Sequence, residues 1–257
     1  IMEIKDYREP APRRGQEAEP IREFSAADEA IHEAEVAAEP REQPISERGG
    51  ARFLTGVSHL LSWVLSPVLM PTYAIITVFG LSMLSFAPMH SKLIIIAIVF
   101  GLTAVLPALA ILVLMKYGDV HDAALTRRTD RFIPYVVTGC CLLGCGFYLS
   151  TTGVPRWVCL FYIGAALATV VNLLVNYRWK ISAHGAGIGG YIAMIMIMNR
   201  YGLPHYNLWG WCVGAVLAAG LLGTARVWLG RHTPMQTVIG ELVGFAGVLS
   251  MELLIPE

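Results

Sequence analysis

Beyond residue 50 the sequence alternates long apolar runs with short polar clusters. A helix needs about 20 apolar residues to cross the hydrocarbon core of a bilayer. On that measure the runs predict membrane-spanning helices near 67–88, 92–115, 132–151, 156–177, 184–199, 207–224 and 237–255. The preceding stretch 53–66 is short and is followed by Pro67, which is compatible with an interfacial helix or with the first part of a longer span. The pattern predicts about seven spans, within a range of six to eight.

Three polar clusters separate these runs, at 116–134, 177–185 and 225–236. Two predicted spans lie between the first cluster and the second, and two lie between the second and the third. An even number of crossings returns the chain to the same side of the membrane, so we expect the three clusters to meet at one face. Lys and Arg are in excess there, which favours the cytoplasmic side. Catalytic arginines are poor markers of topology, however, so the membrane face stays open.

The composition agrees with a membrane protein, because 55% of the residues are hydrophobic and only 15% are charged. The charges are unevenly divided: residues 1–50 hold 13 of the 19 acidic residues but 7 of the 19 Lys and Arg. This segment is rich in Glu, Ala and Pro and has too few large apolar residues to offset chain entropy. We therefore predict a disordered acidic tail over 1–50 and an all-α, polytopic membrane helical bundle over 51–257.

The second and third clusters carry the residues best suited to chemistry. Ser182 and His184 precede a glycine-rich stretch, and Arg226 and His232 precede a Thr-Pro pair that is typical of a helix start. Arginine forks match phosphate oxygens, and histidine serves as nucleophile or proton donor near neutral pH. Simpler explanations are cationic residues at membrane boundaries and glycines that allow close helix packing. Their combination on one face favours chemistry on a phosphate.

In these motifs the chain resembles the type 2 phosphatidic acid phosphatase superfamily, which is related to the vanadium haloperoxidases. The family pattern reads Lys-x6-Arg-Pro, then Pro-Ser-Gly-His, then Ser-Arg-x5-His-x3-Asp. The second motif is matched by the Ile-Ser-Ala-His stretch that ends at His184, and the third by Ala-Arg-x5-His-x3-Gln, which runs from Ala225 to Gln236. The first is matched loosely by a basic cluster ahead of Pro134. The resemblance covers roughly 116–247.

The resemblance implies an integral membrane hydrolase that acts on a lipid phosphate or pyrophosphate through a phosphohistidine. His232 would be the nucleophile, while His184 would protonate the leaving oxygen and then activate water. Gln236 stands where the family has the aspartate that orients the nucleophile. The phosphate oxygens would be held by Arg226, Ser182, Arg127, Arg128, Arg131 and Lys180. This scheme uses no metal and no cofactor, and it places the protein as a multi-pass protein of a prokaryotic cytoplasmic (inner) membrane with a lipid phosphate as its partner.

Departures from the family pattern keep a second function open. Gln236 accepts a hydrogen bond but supplies no negative charge, and Glu241 is a candidate to compensate for it. The alternative is a non-catalytic protein of the same fold that binds a lipid phosphate, or a transporter-like protein that uses the same basic pocket. A metal-dependent phosphotransferase built on Asp119 and Asp122 is poorly supported, because the chain lacks the spacing of a multi-carboxylate site. Nucleic-acid binding has no support, because the basic residues are few and divided among helix ends.

Overall fold

The computed structural model describes residues 52–117, 129–201 and 207–254, all of which lie in one compact unit over Gln43–Glu257. These residues form an all-helical bundle without strands, as the sequence predicts. The predicted tail over 1–50 lies outside the described residues. Within the described ranges the helices are α1 (Arg52–Val64), α2 (Met70–Leu81), α3 (Met89–Tyr117), α4 (Phe132–Ser150), α5 (Arg156–Asn176), α6 (Ala183–Tyr201), α7 (Trp209–Trp228) and α8 (Pro234–Leu254).

Five of the described helices are long and apolar enough to cross a membrane, namely α3, α4, α5, α7 and α8. Seven spans were expected, and the two that fall short are 67–88 and 184–199. The first is shorter than expected because α2 has only 12 residues and is capped by Ser82, whose hydroxyl donates to the carbonyl of Val78 at 2.7 Å. The second is α6, which is 19 residues long but less apolar, since its first two turns are rich in glycine.

The stretch before Pro67 is a helix of its own. Helix α1 ends at Val64, and a turn through Pro67 leads to α2. The interpretation of 53–66 as the first part of a longer span is therefore wrong. Large apolar side chains of α1 are exposed, with Phe53 at 78% and Trp63 at 74%. An exposed apolar helix face of this kind is what an interfacial helix presents to lipid.

Helix α3 is interrupted by a π-helical turn at Gly101–Val105. Pro107 follows this turn and has no N–H to donate to the preceding turn, and the hydroxyl of Thr103 donates to the carbonyl of Val99 at 2.9 Å. The second half of α3 contacts α4, and in that half only Pro107 is buried among the described side chains. Other apolar side chains of this half are exposed, with Leu109 at 55% and Leu112 at 57%.

Helices α6 and α8 touch backbone to backbone. A Cβ added at Gly185 would lie 2.6 Å from the carbonyl oxygen of Thr237, and one at Gly240 would lie 2.5 Å from that of Ser182. Added Cβ atoms at Gly189 and Gly244 would collide with the carbonyls of the facing helix. These glycines thus serve close packing, which brings the first turns of α6 and α8 together.

Several large side chains are fully buried toward the other end of α4 and α6. Leu149, Tyr162 and Met198 are fully buried, and the hydroxyl of Tyr162 donates to the carbonyl of Pro71 at 2.8 Å. The bundle is thus densely packed at the end where α4 and α6 finish. The polar clusters are at the end where these two helices begin.

Candidate functional site

The three polar clusters are joined by direct hydrogen bonds. The guanidinium of Arg131, just before α4, donates to the carbonyl of Ile181 at 3.0 Å. The backbone N–H of Ser182 donates to the carbonyl of Gln236 at 3.2 Å. The first cluster is therefore linked to the second, and the second to the third, which is the convergence that the parity of the crossings predicts. Arg127 and Arg128 lie outside the described residues.

Helix α8 begins with a capping box, Thr233-Pro-Met-Gln236. The N–H of Gln236 donates to the hydroxyl of Thr233 at 3.3 Å, and the N–H of Thr233 donates to the side-chain oxygen of Gln236 at 3.2 Å. Gln236 therefore has a structural role besides the one implied by the family. Sequence reasoning missed this role, although the Thr-x-x-Gln spacing before an apolar run is a recognised signal for it.

The same side-chain oxygen of Gln236 also contacts His232, whose Nδ1 lies 3.1 Å away. The N–H of Thr233 fixes which end of the amide faces inward, because an amide NH₂ in that place would meet a donor. Since an amide oxygen only accepts, the proton of a neutral His232 resides on Nδ1. The lone pair is then on Nε2, the atom that a nucleophilic histidine uses in this geometry.

His232 is buried and lies among positive charges. Burial, followed by the charges of Arg131, Arg226 and Lys180, holds the pKa of His232 well below its usual value of 6.5, while its hydrogen bond with Gln236 acts in the opposite direction. His232 is therefore neutral at neutral pH. A neutral imidazole with a free Nε2 is the form that attacks phosphorus.

The second histidine, His184, is held by α1. Its Nε2 lies 3.1 Å from the carbonyl oxygen of Ser62, near the C-terminal end of that helix. A carbonyl only accepts, so Nε2 carries a proton and donates it there. The carbonyls in the last turn of a helix have no partner within the helix, and His184 satisfies one of them. Sequence reasoning did not connect α1 with the site, because no charge or motif in α1 signals this contact.

Ser182 is placed differently from its expected phosphate-binding role. Its side chain is fully buried, and its oxygen accepts from the N–H of Gly185 at 3.2 Å. This contact is that of a helix N-cap, which satisfies a free N–H in the first turn of α6. Ser182 does not line the cavity described below. The residue shapes the start of α6 and does not face the ligand space.

Arg226 is the clearest unsatisfied cation. It lies in the last turn of α7, is 8% exposed, and its buried Nε has no hydrogen-bond partner among the described residues. A buried guanidinium N–H without an acceptor is costly, and an anion is the partner that relieves the cost most completely. Arg226 and Arg131 both line the cavity. Lys180 is near enough to His232 to affect its pKa but is not on the cavity wall.

A cavity of about 640 Å³ connects these groups to the apolar interior. Its polar end is formed by the four residues Arg131, His184, Arg226 and His232. Deeper in the bundle its wall is mainly apolar and includes Leu142, Phe161, Ala165, Ala168 and Val248. The helical rise of about 1.5 Å per residue puts Leu142 roughly 16 Å from Arg131 along the chain direction of α4. The space therefore combines a cationic end with a long apolar section.

The cavity opens between α1 and the second half of α3. Among the described residues that line it, the exposed ones are His59 and Trp63 on α1 and Ala108 and Leu112 on α3. Each pair is spaced by four residues, so its members share one helix face. The other described lining residues are buried or half-buried. The mouth is thus a slot between two helices, with mostly apolar edges.

Glu241 does not compensate for the missing family aspartate. Its carboxylate faces α7, where a Cβ added at Gly223 would lie 3.5 Å from Oε1. No hydrogen bond joins Glu241 to His232 in the described part of the chain, and Glu241 is not on the cavity wall. The proposal that Glu241 orients His232 is therefore wrong, because α8 directs residues 236 and 241 to different sides.

The described residues contain no group of side chains that could hold a metal ion. Within 52–117, 129–201 and 207–254, no three His, Cys, Asp or Glu side chains form a group with metal-ligand spacing. Asp119 and Asp122 lie outside the described residues.

No protein-family model, curated protein or solved structure matches the chain. The geometry and chemistry of the site therefore carry the functional argument.

Proposed function

We propose that this protein is an integral membrane phosphatase that hydrolyses a lipid phosphate or pyrophosphate through a phosphohistidine on His232. The observation that carries the proposal is one cavity wall with two complementary groups. One is a neutral His232 that holds its proton on Nδ1, and the other is a buried Arg226 whose Nε has no hydrogen-bond partner among the described residues. A nucleophile beside an unsatisfied guanidinium is suited to attack on a bound phosphate.

The chemistry proceeds in two displacements. In the first, Nε2 of His232 forms a bond to phosphorus as the bond to the leaving oxygen breaks, and His184 passes to that oxygen a proton that the bound phosphate monoanion supplies. In the second, neutral His184 takes a proton from water, the oxygen of that water attacks phosphorus, and the bond to His232 breaks. Arg226 and Arg131 hold the non-bridging oxygens in both steps. His184 must leave the carbonyl of Ser62 to take part.

The form of the cavity supports an amphiphilic substrate. Its polar end suits a phosphate, its deeper wall suits hydrocarbon, and the edges of its mouth include Trp63, Ala108 and Leu112. A lipid entering between α1 and α3 keeps its chain in contact with apolar surface throughout. A small, fully hydrated phosphate ester gains nothing from these edges.

One observation favours a second candidate, a protein that binds a lipid phosphate without turnover. Gln236 is held by its capping box, and its uncharged amide oxygen accepts the hydrogen bond from Nδ1 of His232. An orienting carboxylate would stabilise the cationic histidine that forms during transfer, and its loss in a serine-protease triad costs about 10⁴ in rate. The two candidates differ in turnover and share the same ligand.

The test is phosphate release by the purified protein from detergent-solubilised phosphatidic acid, phosphatidylglycerol phosphate and undecaprenyl pyrophosphate, with EDTA present. We expect release by the wild type from at least one of them, inhibition by vanadate, and a loss of at least roughly 10³-fold in His232→Ala. His90→Ala is the matched control, because His90 is exposed in the first turn of α3 and off the cavity wall. Full activity in His232→Ala would refute the mechanism, and binding without release would select the second candidate.

A further inference from the structure

Asn172 lines the cavity, and its buried side-chain amide has no hydrogen-bond partner among the described residues. It is 2% exposed and lies on α5, one turn before the end of the helix at Asn176. Its side-chain oxygen is enclosed and has no hydrogen-bond partner, and no bond from its NH₂ group occurs within the described residues. A buried polar group without a hydrogen-bond partner destabilises the fold. Such a cost at a cavity wall indicates a partner that occupies the cavity.

Ser62 provides a second unsatisfied group on the same wall. Its side chain is 9% exposed, and its hydroxyl has no hydrogen-bond partner in the described part of the chain, while its carbonyl accepts from Nε2 of His184. Two residues that line one cavity, on α1 and α5, therefore each carry a buried polar atom without a hydrogen-bond partner among the described residues. Thr169 on the same wall is different, because its hydroxyl donates to the carbonyl of Ala165 at 2.8 Å.

The depth of Asn172 indicates which part of a ligand it meets. Four residues separate it from the end of α5, which is about 6 Å along the helix. It therefore lies just below the cationic end made by Arg131, Arg226 and the two histidines, and above the apolar section around Phe161. A ligand with its phosphate at the cationic end places the first atoms beyond the phosphate ester at this level.

We propose that Asn172, together with Ser62, binds a hydroxyl group that the ligand carries next to its phosphate. An amide oxygen accepts and an amide NH₂ donates, so a hydroxyl satisfies both. The inference rests on the proposed function and specifies its substrate class. That class is a phosphate monoester of a hydroxyl-bearing, glycerol-like backbone with a hydrocarbon chain. An isoprenoid diphosphate places its second phosphate at this level, and an ionised phosphate has no proton to donate to the unsatisfied side-chain oxygen of Asn172.

The experiment compares two ligands that differ in one hydroxyl, 1-oleoyl-glycerol 3-phosphate and its 2-deoxy analogue. Phosphate release is measured for the wild type, Asn172→Leu and the control Thr169→Val, and the affinity of both ligands is measured in the His232→Ala background. We expect the wild type to prefer the hydroxyl ligand roughly tenfold, equivalent to ~1.4 kcal/mol. We expect Asn172→Leu to lose this preference and Thr169→Val to retain it.

A stability measurement separates recognition from a structural role. Removing an unsatisfied amide should leave the thermal midpoint of Asn172→Leu unchanged or raise it, since a residue kept for binding is often suboptimal for folding. Ser62→Ala should also weaken the preference for the hydroxyl ligand. Equal use of the two ligands by the wild type, or an intact preference in Asn172→Leu, would overturn the inference while leaving the phosphatase proposal in place. Neither binding nor release of either ligand would also overturn the inference, and the phosphatase proposal would then be decided by release from the three lipids named above.

Discussion

The side-chain oxygen of Gln236 accepts two hydrogen bonds. It closes the capping box of α8 through the N–H of Thr233, and it accepts from Nδ1 of His232. The tautomer of His232 is thereby tied to the geometry of a helix start. This amide oxygen carries no negative charge, so residue 236 does not offset the cations that lower the pKa of His232. The residue keeps the nucleophile neutral and oriented.

The variant Gln236→Glu tests this view at the scale of one residue. Glutamate has the same length and also serves in a capping box, so α8 should begin unchanged. Its carboxylate stabilises the protonated imidazole and should raise the pKa of His232. His232 must be neutral to attack, and protonation abolishes activity as the pH falls through its pKa. We therefore expect the acid limb of the kcat/KM profile to move to higher pH.

The control for this variant is Thr233→Ala. It weakens the capping box without adding charge and should cost about 1 kcal/mol of stability with little displacement of the acid limb. An acid limb in Gln236→Glu that stays in place or moves to lower pH would contradict the assignment of His232 as the group that must be neutral.

At the scale of elements, the sequence predicts the long apolar helices well. The expected spans 132–151 and 156–177 coincide closely with α4 (Phe132–Ser150) and α5 (Arg156–Asn176). Helix α7 extends beyond its expected end at 224 and includes Arg226, because a cation at a helix end does not stop a helix. Helix α6 has the length of a span but is less apolar than the five candidate spans, since the glycines that lower its hydropathy are required by backbone contact with α8. The contact depends on how two separate segments pack together, and no periodic pattern in the sequence indicates it.

The α6–α8 contact predicts a sharp difference between glycines. Gly244→Ala places a methyl group against the carbonyl of Ala186, where only backbone atoms are near, so the helices must separate. We expect a loss of stability of several kcal/mol, or failure to fold, together with loss of phosphate release. Gly220→Ala on α7 meets no atom within 4 Å and should leave stability within about 1 kcal/mol of the wild type.

Thermal unfolding in a fixed detergent, followed by circular dichroism, provides the comparison. If Gly244→Ala were as stable as Gly220→Ala, the close approach of α6 and α8 would be wrong. The joining of the second and third clusters would then lose its structural basis.

At the scale of the whole molecule, the site combines a cationic end, an apolar interior and a slot to the outside. The cationic end was predictable, because the parity of crossings places three polar clusters on one face. The slot was not, since Trp63 on α1 and Ala108 on α3 are distant in sequence and carry no distinguishing pattern. The unpartnered amide of Asn172 was likewise hidden in an ordinary apolar helix. Whether a polar group is satisfied depends on its neighbours and not on its position in the sequence.

The slot predicts that entry depends on the chain of the substrate. Ala108→Trp places a large ring on the edge of the mouth and should reduce turnover of a long-chain lipid phosphate at least roughly tenfold. Turnover of a short, soluble aryl phosphate should change much less, because it needs less of the slot. Leu109→Trp is the matched control, since Leu109 is 55% exposed and is not on the cavity wall. Equal effects of the two variants on lipid turnover would exclude the slot as the entrance.

The central claim is that His232 receives the phosphoryl group, and the most direct measurement is the chemical detection of that intermediate. His184→Ala is incubated with an aryl phosphate labelled at phosphorus, whose leaving group departs without protonation. Hydrolysis of the intermediate then lacks its base. We expect acid-labile, base-stable label to accumulate on the protein and to disappear when His232→Ala is added to the same chain. No label in His184→Ala, or label that survives the loss of His232, would contradict the account.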